Sequence, residues 1–258
     1  MNDGSKAGLL AGARDFTART IPLDNQTPPS PGEVHLWFLD LGCLSGALTA
    51  ALGGEAGSEP AGAGQLLFAR RFYLRLLLGS YLGLPGKAVK INRRNRGKPV
   101  LDASLHPEEM HFSMAKSENK LLIGISASSH IGVDLERADR KARNAVGVAQ
   151  RYFSPSEASA LAALDPDRID QAFLRVWACK EAVVKASGMG IANQFGRFTV
   201  DTEIGTPAAV LDFDNQGPGE WSLALVEPQD SFLGAVAIED PLSTLKTFRL
   251  LPAVTSTD

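Results

Sequence analysis

The segment Ile131-Gly-Val-Asp-Leu-Glu136 decides how this chain folds and where its chemistry lies. Its alternating pattern predicts a β-strand whose three branched apolar side chains face the core. Gly132, Asp134 and Glu136 then share the opposite face. Two neighbouring carboxylates can hold a hard divalent cation, and a glycine beside them leaves room for a ligand. The alternative is a solvent-facing strand with two acids, and the pattern alone leaves both interpretations open.

A second segment, Trp177-Ala-Cys-Lys-Glu-Ala-Val-Val-Lys-Ala-Ser-Gly188-Met-Gly190, lies at the end of a helix predicted over residues 167–187. The helix has an apolar stripe, and Gly188 ends it. Glu181 and Lys185 flank the stripe in the order that favours an ordinary surface ion pair. At the edge of a core, Glu181 could instead complete a metal site or accept a proton, and Lys185 could neutralise a phosphate.

Composition narrows the class of protein. The chain has 258 residues, 44% hydrophobic and 21% charged, which suits one large globular domain or two small ones. A net charge of −3 argues against a general nucleic-acid-binding protein. No apolar run suggests a membrane span, and the first residues lack a secretory signal pattern. The only cysteines, Cys43 and Cys179, suit a reducing compartment, so we expect a cytoplasmic protein.

The pattern of strands and helices predicts an α+β fold. Each half of the chain begins with a strand, continues with a long helix and ends with further strands. We therefore divide the chain into a mobile N-terminal leader (1–32), an N-terminal lobe (33–130), a C-terminal lobe (131–247) and a loose tail (248–258).

The two segments together resemble the signature of the 4'-phosphopantetheinyl transferases. That signature reads G-[IV]-D-[ILV]-E, followed by W-x-x-K-E-[AS]-x-x-K-x-x-G-x-G. The resemblance is to the larger, two-lobed branch of the family and extends from about Val34 to about Ile238. It includes Arg71 on the first long helix, Gly97-Lys98-Pro99, and Arg151-Tyr-Phe-Ser-Pro-Ser-Glu157.

The resemblance implies a fold, a reaction and its partners. The fold would be two similar α+β lobes that form a pseudo-dimer with the active site between them. The reaction would transfer the 4'-phosphopantetheine arm of coenzyme A to a serine hydroxyl of an apo acyl or peptidyl carrier protein. Adenosine 3',5'-bisphosphate would be released. The cofactor would be Mg²⁺, although Mn²⁺ also accepts oxygen ligands. Fatty-acid, polyketide and nonribosomal-peptide carriers all fit, and a two-lobed chain predicts a monomer.

The resemblance also implies roles for individual residues. The metal ligands would be Asp134, Glu136 and Glu181. Glu181 would also accept the serine proton, directly or through a water molecule, and Lys185 would bind the pyrophosphate. Four further basic residues would support or contact the phosphates of coenzyme A: Arg71, Lys98, Lys116 and Lys180.

One departure from the family pattern affects the coenzyme A site. Where the family usually has F-N-x-S-H-S, this chain has Phe112-Ser-Met-Ala-Lys-Ser117. Ala115 lacks a hydroxyl, and Lys116 replaces an imidazole with a permanent charge that can still pair with a phosphate. We expect altered binding strength. Two alternatives remain: a protein that binds coenzyme A or a carrier without transferase activity, and another Mg²⁺-dependent phosphoryl enzyme such as a pyrophosphatase.

Overall fold

The computed structural model describes residues 14–54, 61–93, 97–106, 110–128, 130–190, 194–203 and 206–253. The α-helices in these ranges are α1 (Leu41–Ala51), α2 (Ala63–Leu82), α3 (Ala145–Tyr152), α4 (Pro155–Ala162) and α5 (Pro166–Ser187). The strands are β1 (Thr17–Thr20), β2 (Glu33–Asp40), β3 (Ile91–Arg93), β4 (Pro99–Leu101), β5 (His111–Ser117), β6 (Lys120–Ser126), β7 (Ile131–Arg137), β8 (Phe198–Asp201), β9 (Ala209–Phe213), β10 (Trp221–Gln229), β11 (Phe232–Glu239) and β12 (Thr244–Leu251). These elements confirm the α+β class.

Two sheets form the middle of the molecule. The larger has the strand order β1-β12-β2-β6-β5, and the smaller has the order β10-β11-β7. One apolar cluster lies between the two sheets, a second joins the larger sheet to α1 and α2, and a third joins the smaller sheet to α3, α4 and α5. The layers therefore run helices, sheet, sheet, helices, and each sheet buries both faces.

Strand β2 lies in the middle of the larger sheet and is buried on both faces. Its side chains at alternate positions enter different clusters: Leu36 and Phe38 lie between the sheets, whereas Trp37 and Leu39 face the helices. All four are at most 1% exposed. A strand buried on both faces is expected to be apolar at nearly every position, as the sequence of β2 is.

Helix α5 packs directly on β7, and Gly132 permits the close approach. A Cβ atom at this position would lie 2.0 Å from the carbonyl oxygen of Ala182 and 2.5 Å from the amide nitrogen of Ala186. The space beside Gly132 is filled by the helix backbone. The expectation that Gly132 leaves room for a ligand is therefore wrong, because it is the helix that needs this space.

The leader and the tail need correction. Strand β1 pairs in parallel with β12, and β12 pairs in parallel with β2. Phe248 of β12 stacks on Trp37 with 4.7 Å between ring centroids. Residues 17–20 thus belong to a sheet and not to a mobile leader, and residues 248–251 are not a loose tail. Parallel pairing joins segments that are distant in sequence, so local patterns do not reveal it. Residues 1–13 and 254–258 lie outside the described ranges.

The boundary between lobes stays a prediction, with one qualification. Strand β12 begins at Thr244, inside the predicted C-terminal lobe, but it lies in the sheet formed by strands of the N-terminal lobe. None of the helices in the described ranges has the combined length and apolar character that a membrane crossing needs.

Candidate active site between strand β7 and helix α5

Three of the predicted site residues meet where β7 faces the C-terminal half of α5. The Lys185 ammonium nitrogen lies 2.6 Å from Asp134 Oδ1 and 3.8 Å from Glu181 Oε2. Alternation along β7 directs Asp134 toward the helix, and Glu181 and Lys185 share one helix face because they are four residues apart. The structure thus brings Asp134, Glu181 and Lys185 together as the sequence predicts.

Glu136, the next acid on this face of β7, has a partner that the sequence analysis did not single out. Its Oε2 accepts a hydrogen bond from Arg140 Nη1 at 2.7 Å. Arg140 lies in the turn after β7. The spacing Glu136-x-x-x-Arg140 carries information in a helix, where side chains four residues apart meet, but not after a strand. Sequence reasoning therefore had no usable signal for this contact.

Burial raises the pKa of all three acids. For Asp134 the loss of solvent raises the pKa of the carboxyl, and the nearby Lys185 ammonium partly opposes it. Burial likewise raises the pKa of Glu136, and the charge of Asp134 adds to the effect. The pKa of Glu181 is raised mainly by burial, against the pull of Lys185. The site therefore holds carboxylates that are costly to keep ionised without a cation nearby.

The donor set fits a hard divalent cation. Asp134 is only 6% exposed, and its Oδ2 is buried with no hydrogen-bond partner in the described part of the chain. Mg²⁺ and Mn²⁺ both prefer oxygen ligands of this kind. Among the described residues, however, no three His, Cys, Asp or Glu side chains are arranged as a ready metal site. The carboxylates are paired with Lys185 and Arg140 instead.

Lys98 reaches the same place from the N-terminal half of the chain. Its ammonium donates hydrogen bonds to the carbonyl oxygens of Ile131 at 3.1 Å and Lys185 at 2.8 Å. Lys185 lies in the last turn of α5, where carbonyl oxygens without partners in the helix form the negative end of the helix dipole. Lys98 thus joins the start of β7 to the end of α5.

Lys180 is enclosed in the core, so the expectation that it contacts the phosphates of coenzyme A is wrong, whereas its role as a support of the site stays a prediction. Its side chain is fully buried and pairs with Glu157 Oε2 at 2.8 Å. The ammonium also donates to the carbonyl oxygens of Phe195 at 2.7 Å and Phe198 at 2.6 Å. Glu157 is the residue that closes the predicted capping box with Ser154 at the start of α4. An ammonium enclosed in this way has no access to a ligand phosphate.

Lys116 and Arg71 lie on exposed surfaces. Lys116 donates to the carbonyl oxygen of Glu118 at 2.9 Å, and the Glu118 carboxylate pairs with Arg137 of β7. Arg71 lies on the exposed side of α2, near the half-exposed Phe68 and Phe72. Both side chains are accessible to a ligand, and their roles toward coenzyme A stay predictions.

Ala115 has a structural explanation. It is 7% exposed and belongs to the apolar cluster between the two sheets. The neighbouring Ser113 points its hydroxyl toward β7 and accepts a hydrogen bond from the amide nitrogen of Val133 at 3.2 Å. A methyl group at position 115 suits this apolar environment, since a hydroxyl would need a partner there.

Known proteins similar to this chain point to one family. A sequence model described as the 4'-phosphopantetheinyl transferase superfamily matches residues 130–237, which contain β7 and α5. The 4'-phosphopantetheinyl transferase HetI of Nostoc sp. is 33% identical over 215 residues, which cover 80% of this chain and 87% of that protein. A Bacillus subtilis 4'-phosphopantetheinyl transferase is 30% identical over 145 residues, covering 51% of this chain and 62% of that one.

Among solved structures, the holo-[acyl-carrier-protein] synthase of Thermotoga maritima matches with a TM-score of 0.32 and 21% identity, over 42% of this chain and 60% of that one. The family assignment rests on sequence, because the Nostoc relative matches over most of both chains. This chain belongs to the 4'-phosphopantetheinyl transferase superfamily.

Proposed function

We propose that this protein transfers the 4'-phosphopantetheine arm of coenzyme A to a serine hydroxyl of an apo acyl or peptidyl carrier protein and releases adenosine 3',5'-bisphosphate. The relatives from Nostoc and Bacillus are named as transferases of this type. The observation that carries the proposal is the cluster of Asp134, Glu181 and Lys185, with Glu136 on the same strand face. This combination suits transfer at a pyrophosphate, where acids and a cation are needed together.

Asp134, Glu136 and Glu181 would hold a divalent cation, Mg²⁺ or Mn²⁺, which when bound neutralises charge on the pyrophosphate of coenzyme A. Support comes from the oxygen-only donor set and from the unpartnered, buried Oδ2 of Asp134. The raised pKa values of the three carboxyls point the same way, because cations stabilise carboxylates that burial destabilises.

Glu181 would accept the proton of the carrier serine, directly or through a water molecule. The serine oxygen then forms a bond to the β-phosphorus of coenzyme A as the bond to the adenosine bisphosphate breaks. A general base works best when its pKa approaches the working pH. Burial raises the pKa of Glu181 and so moves it in that direction.

Lys185 would stabilise the negative charge that grows on the phosphate oxygens during transfer. Its side chain is 29% exposed, so a ligand can reach the ammonium. Lys98 would add positive charge beside it from the N-terminal half of the chain. Arg71 and Lys116, both exposed, are proposed to contact the nucleotide phosphates.

The proposed working state is a cytoplasmic monomer. Lys98 and Lys185 come from the two halves of one chain and meet at one site, so a second copy is not required to complete it. Cys43 and Cys179 are both free thiols, which suits a reducing compartment.

The direct test is intact mass spectrometry of fatty-acid, polyketide and nonribosomal-peptide apo-carriers after incubation with the protein, Mg²⁺ and coenzyme A. The proposal expects one carrier or more to gain a single phosphopantetheine. Glu181→Gln should lose the activity, whereas Glu220→Gln, the same change at an exposed position, should keep it. If all carriers stayed unmodified while calorimetry showed tight coenzyme A binding, the protein would be a coenzyme A-binding protein and not a transferase.

A further inference from the structure

The acids of the candidate active site are accompanied by two cations of the chain itself. Lys185 contacts Asp134 and Glu181, and Arg140 contacts Glu136. With all groups ionised, three carboxylates and two cations leave a formal charge of −1 at the cluster. A divalent cation that joined this arrangement unchanged would make it positive. One of the chain's cations therefore competes with the metal for a carboxylate.

Arg140 is the cation that can leave more easily. Its side chain is 47% exposed and lies in the turn after β7, where its backbone amide bonds to the carbonyl oxygen of Arg137 at 3.2 Å. In the described part of the chain its ion pair is with Glu136. Lys185, by contrast, is 29% exposed and contacts two acids from the last turn of α5. An exposed arginine regains water when it leaves, so the separation costs little.

We propose that Arg140 is an internal competitor of the divalent metal: its guanidinium neutralises Glu136 in the metal-free protein and has to leave before that carboxylate can bind a metal. The inference rests on the proposed function, which makes Glu136 a metal ligand. The Glu136 oxygen at 2.7 Å from Arg140 Nη1 is engaged in a charge-assisted bond that a metal ion would have to replace. Arg140 thereby weakens metal binding in the absence of coenzyme A.

The chain offers a matched control three residues earlier. Arg137 carries the same charge and a similarly exposed side chain, at 35%, but its partners are Glu118 and Asp139. Both acids lie outside the active-site cluster. Arg137→Gln therefore removes one positive charge from the residue next to Glu136 in β7, on the opposite face of the strand, without freeing Glu136. A difference between Arg140→Gln and Arg137→Gln reports the local contact and not the overall charge of the protein.

The experiment is a titration of Mn²⁺ into the full-length protein without coenzyme A or carrier, with free Mn²⁺ measured by electron paramagnetic resonance. Exposed ion pairs are weak, so Arg140→Gln should lower the dissociation constant by about two- to fivefold relative to wild type. Arg137→Gln should stay within about twofold, since Arg137 pairs with Glu118 and Asp139 and salt screens its charge from the acids of the cluster. The gain of Arg140→Gln should shrink at high salt for the same reason.

A double-mutant cycle with Glu136→Gln separates the inference from the proposed function. The gain from Arg140→Gln should vanish in the Glu136→Gln background, because the competition is then already removed. Suppose that Glu136→Gln weakens Mn²⁺ binding but Arg140→Gln strengthens it no more than Arg137→Gln does. The proposal that Arg140 competes with the metal is then wrong, and Glu136 is still a metal ligand. If Glu136→Gln leaves Mn²⁺ binding unchanged, or wild type binds none, the metal assignment of Glu136 fails and the inference fails with it.

Discussion

Lys180 and Lys185 lie on the same helix and each pairs with a carboxylate, yet the two pairs have opposite surroundings. Lys180 and Glu157 are 0% and 4% exposed, and the lysine donates to two further carbonyl oxygens. Glu157 also accepts hydrogen bonds from the backbone amides of Ser154 and Val200. Lys185 and Asp134 are 29% and 9% exposed, and Asp134 Oδ2 has no partner among the described residues.

The comparison teaches how a structural ion pair differs from one suited to chemistry. A buried pair is tolerated when every donor and acceptor is satisfied, and it then fixes the elements that supply it. The Lys180 pair joins α5 to α4 and to the start of β8 in this way. The Lys185 pair leaves lone pairs and an accessible ammonium, so it retains the capacity to bind a ligand.

The largest expected effect is on catalysis. Glu181→Gln should reduce the transfer rate by about 10²- to 10⁴-fold, because the variant removes the proposed base and a metal ligand. Asp134→Asn should have a comparable effect. Neither variant should lower the melting temperature in metal-free buffer, since burial raises the pKa of both carboxyls and makes their ionised forms costly in the folded protein. Rates come from the carrier-mass assay and melting from calorimetry; a large fall in melting temperature would make these residues structural.

The next largest effect is on stability. Lys180→Met should lower the free energy of unfolding by about 3–5 kcal/mol, because it leaves the Glu157 carboxylate buried without its cation. Urea denaturation followed by far-ultraviolet circular dichroism measures this. The double variant Lys180→Met/Glu157→Gln should recover part of the loss, since no unpaired charge remains. A Lys180→Met protein as stable as wild type would remove the contrast between the two lysines.

Gly132→Ala should have a smaller effect, and it should affect both stability and transfer rate. An added methyl group would meet the Ala182 carbonyl at 2.0 Å, so α5 and β7 must separate. Overpacking of this kind costs about 1–3 kcal/mol. Gly132→Ala should therefore lower both stability and transfer rate, because Asp134 and Glu181 lie on the elements that move apart. The same change at Gly46, where a Cβ would meet no atom within 4 Å, is the control. Normal transfer by Gly132→Ala would show that the helix–strand spacing does not matter.

Sequence patterns predict the acid cluster better than its neighbours. Alternation in β7 and the spacing of Glu181 and Lys185 depend only on local geometry, so the sequence alone assigns Asp134 and Glu136 to one face of the strand. The partners of Arg140 and Lys180 depend on tertiary contacts. Glu157 is recognisable as part of a capping box, but the spacing of a cap does not reveal that the same carboxylate also neutralises a lysine from another helix.

Strand β1, at the edge of the larger sheet, is also set by tertiary contacts that local sequence patterns do not reveal. Strand β1 has four residues, all exposed, and no apolar alternation marks it. Its position is set by pairing with β12, far away in sequence. The expectation for Gly132 is wrong for a related reason, since a glycine on a strand face is compatible with a ligand or with a helix backbone, and only the packing decides between them.

The smallest expected effect is on coenzyme A binding. Lys116→Ala should raise the Michaelis constant for coenzyme A by a few-fold and leave kcat nearly unchanged, because an exposed lysine contributes a modest attraction to a phosphate. Lys87→Ala, a change at a lysine that has no assigned role in the site, serves as the control. Equal Michaelis constants for wild type and Lys116→Ala would remove Lys116 from the binding site.

The most direct test of the central claim is the transfer rate of Lys185→Met, measured on protein whose unfolding free energy is determined in the same preparation. The contrast between the two lysines predicts a loss of at least about 100-fold in rate, since the cation meant for the phosphates is gone. The fall in unfolding free energy should be smaller than that of Lys180→Met, because the Lys185 side chain is 29% exposed whereas Lys180 is fully buried. A Lys185→Met protein that transfers phosphopantetheine normally would contradict the claim that the cluster between β7 and α5 is the active site.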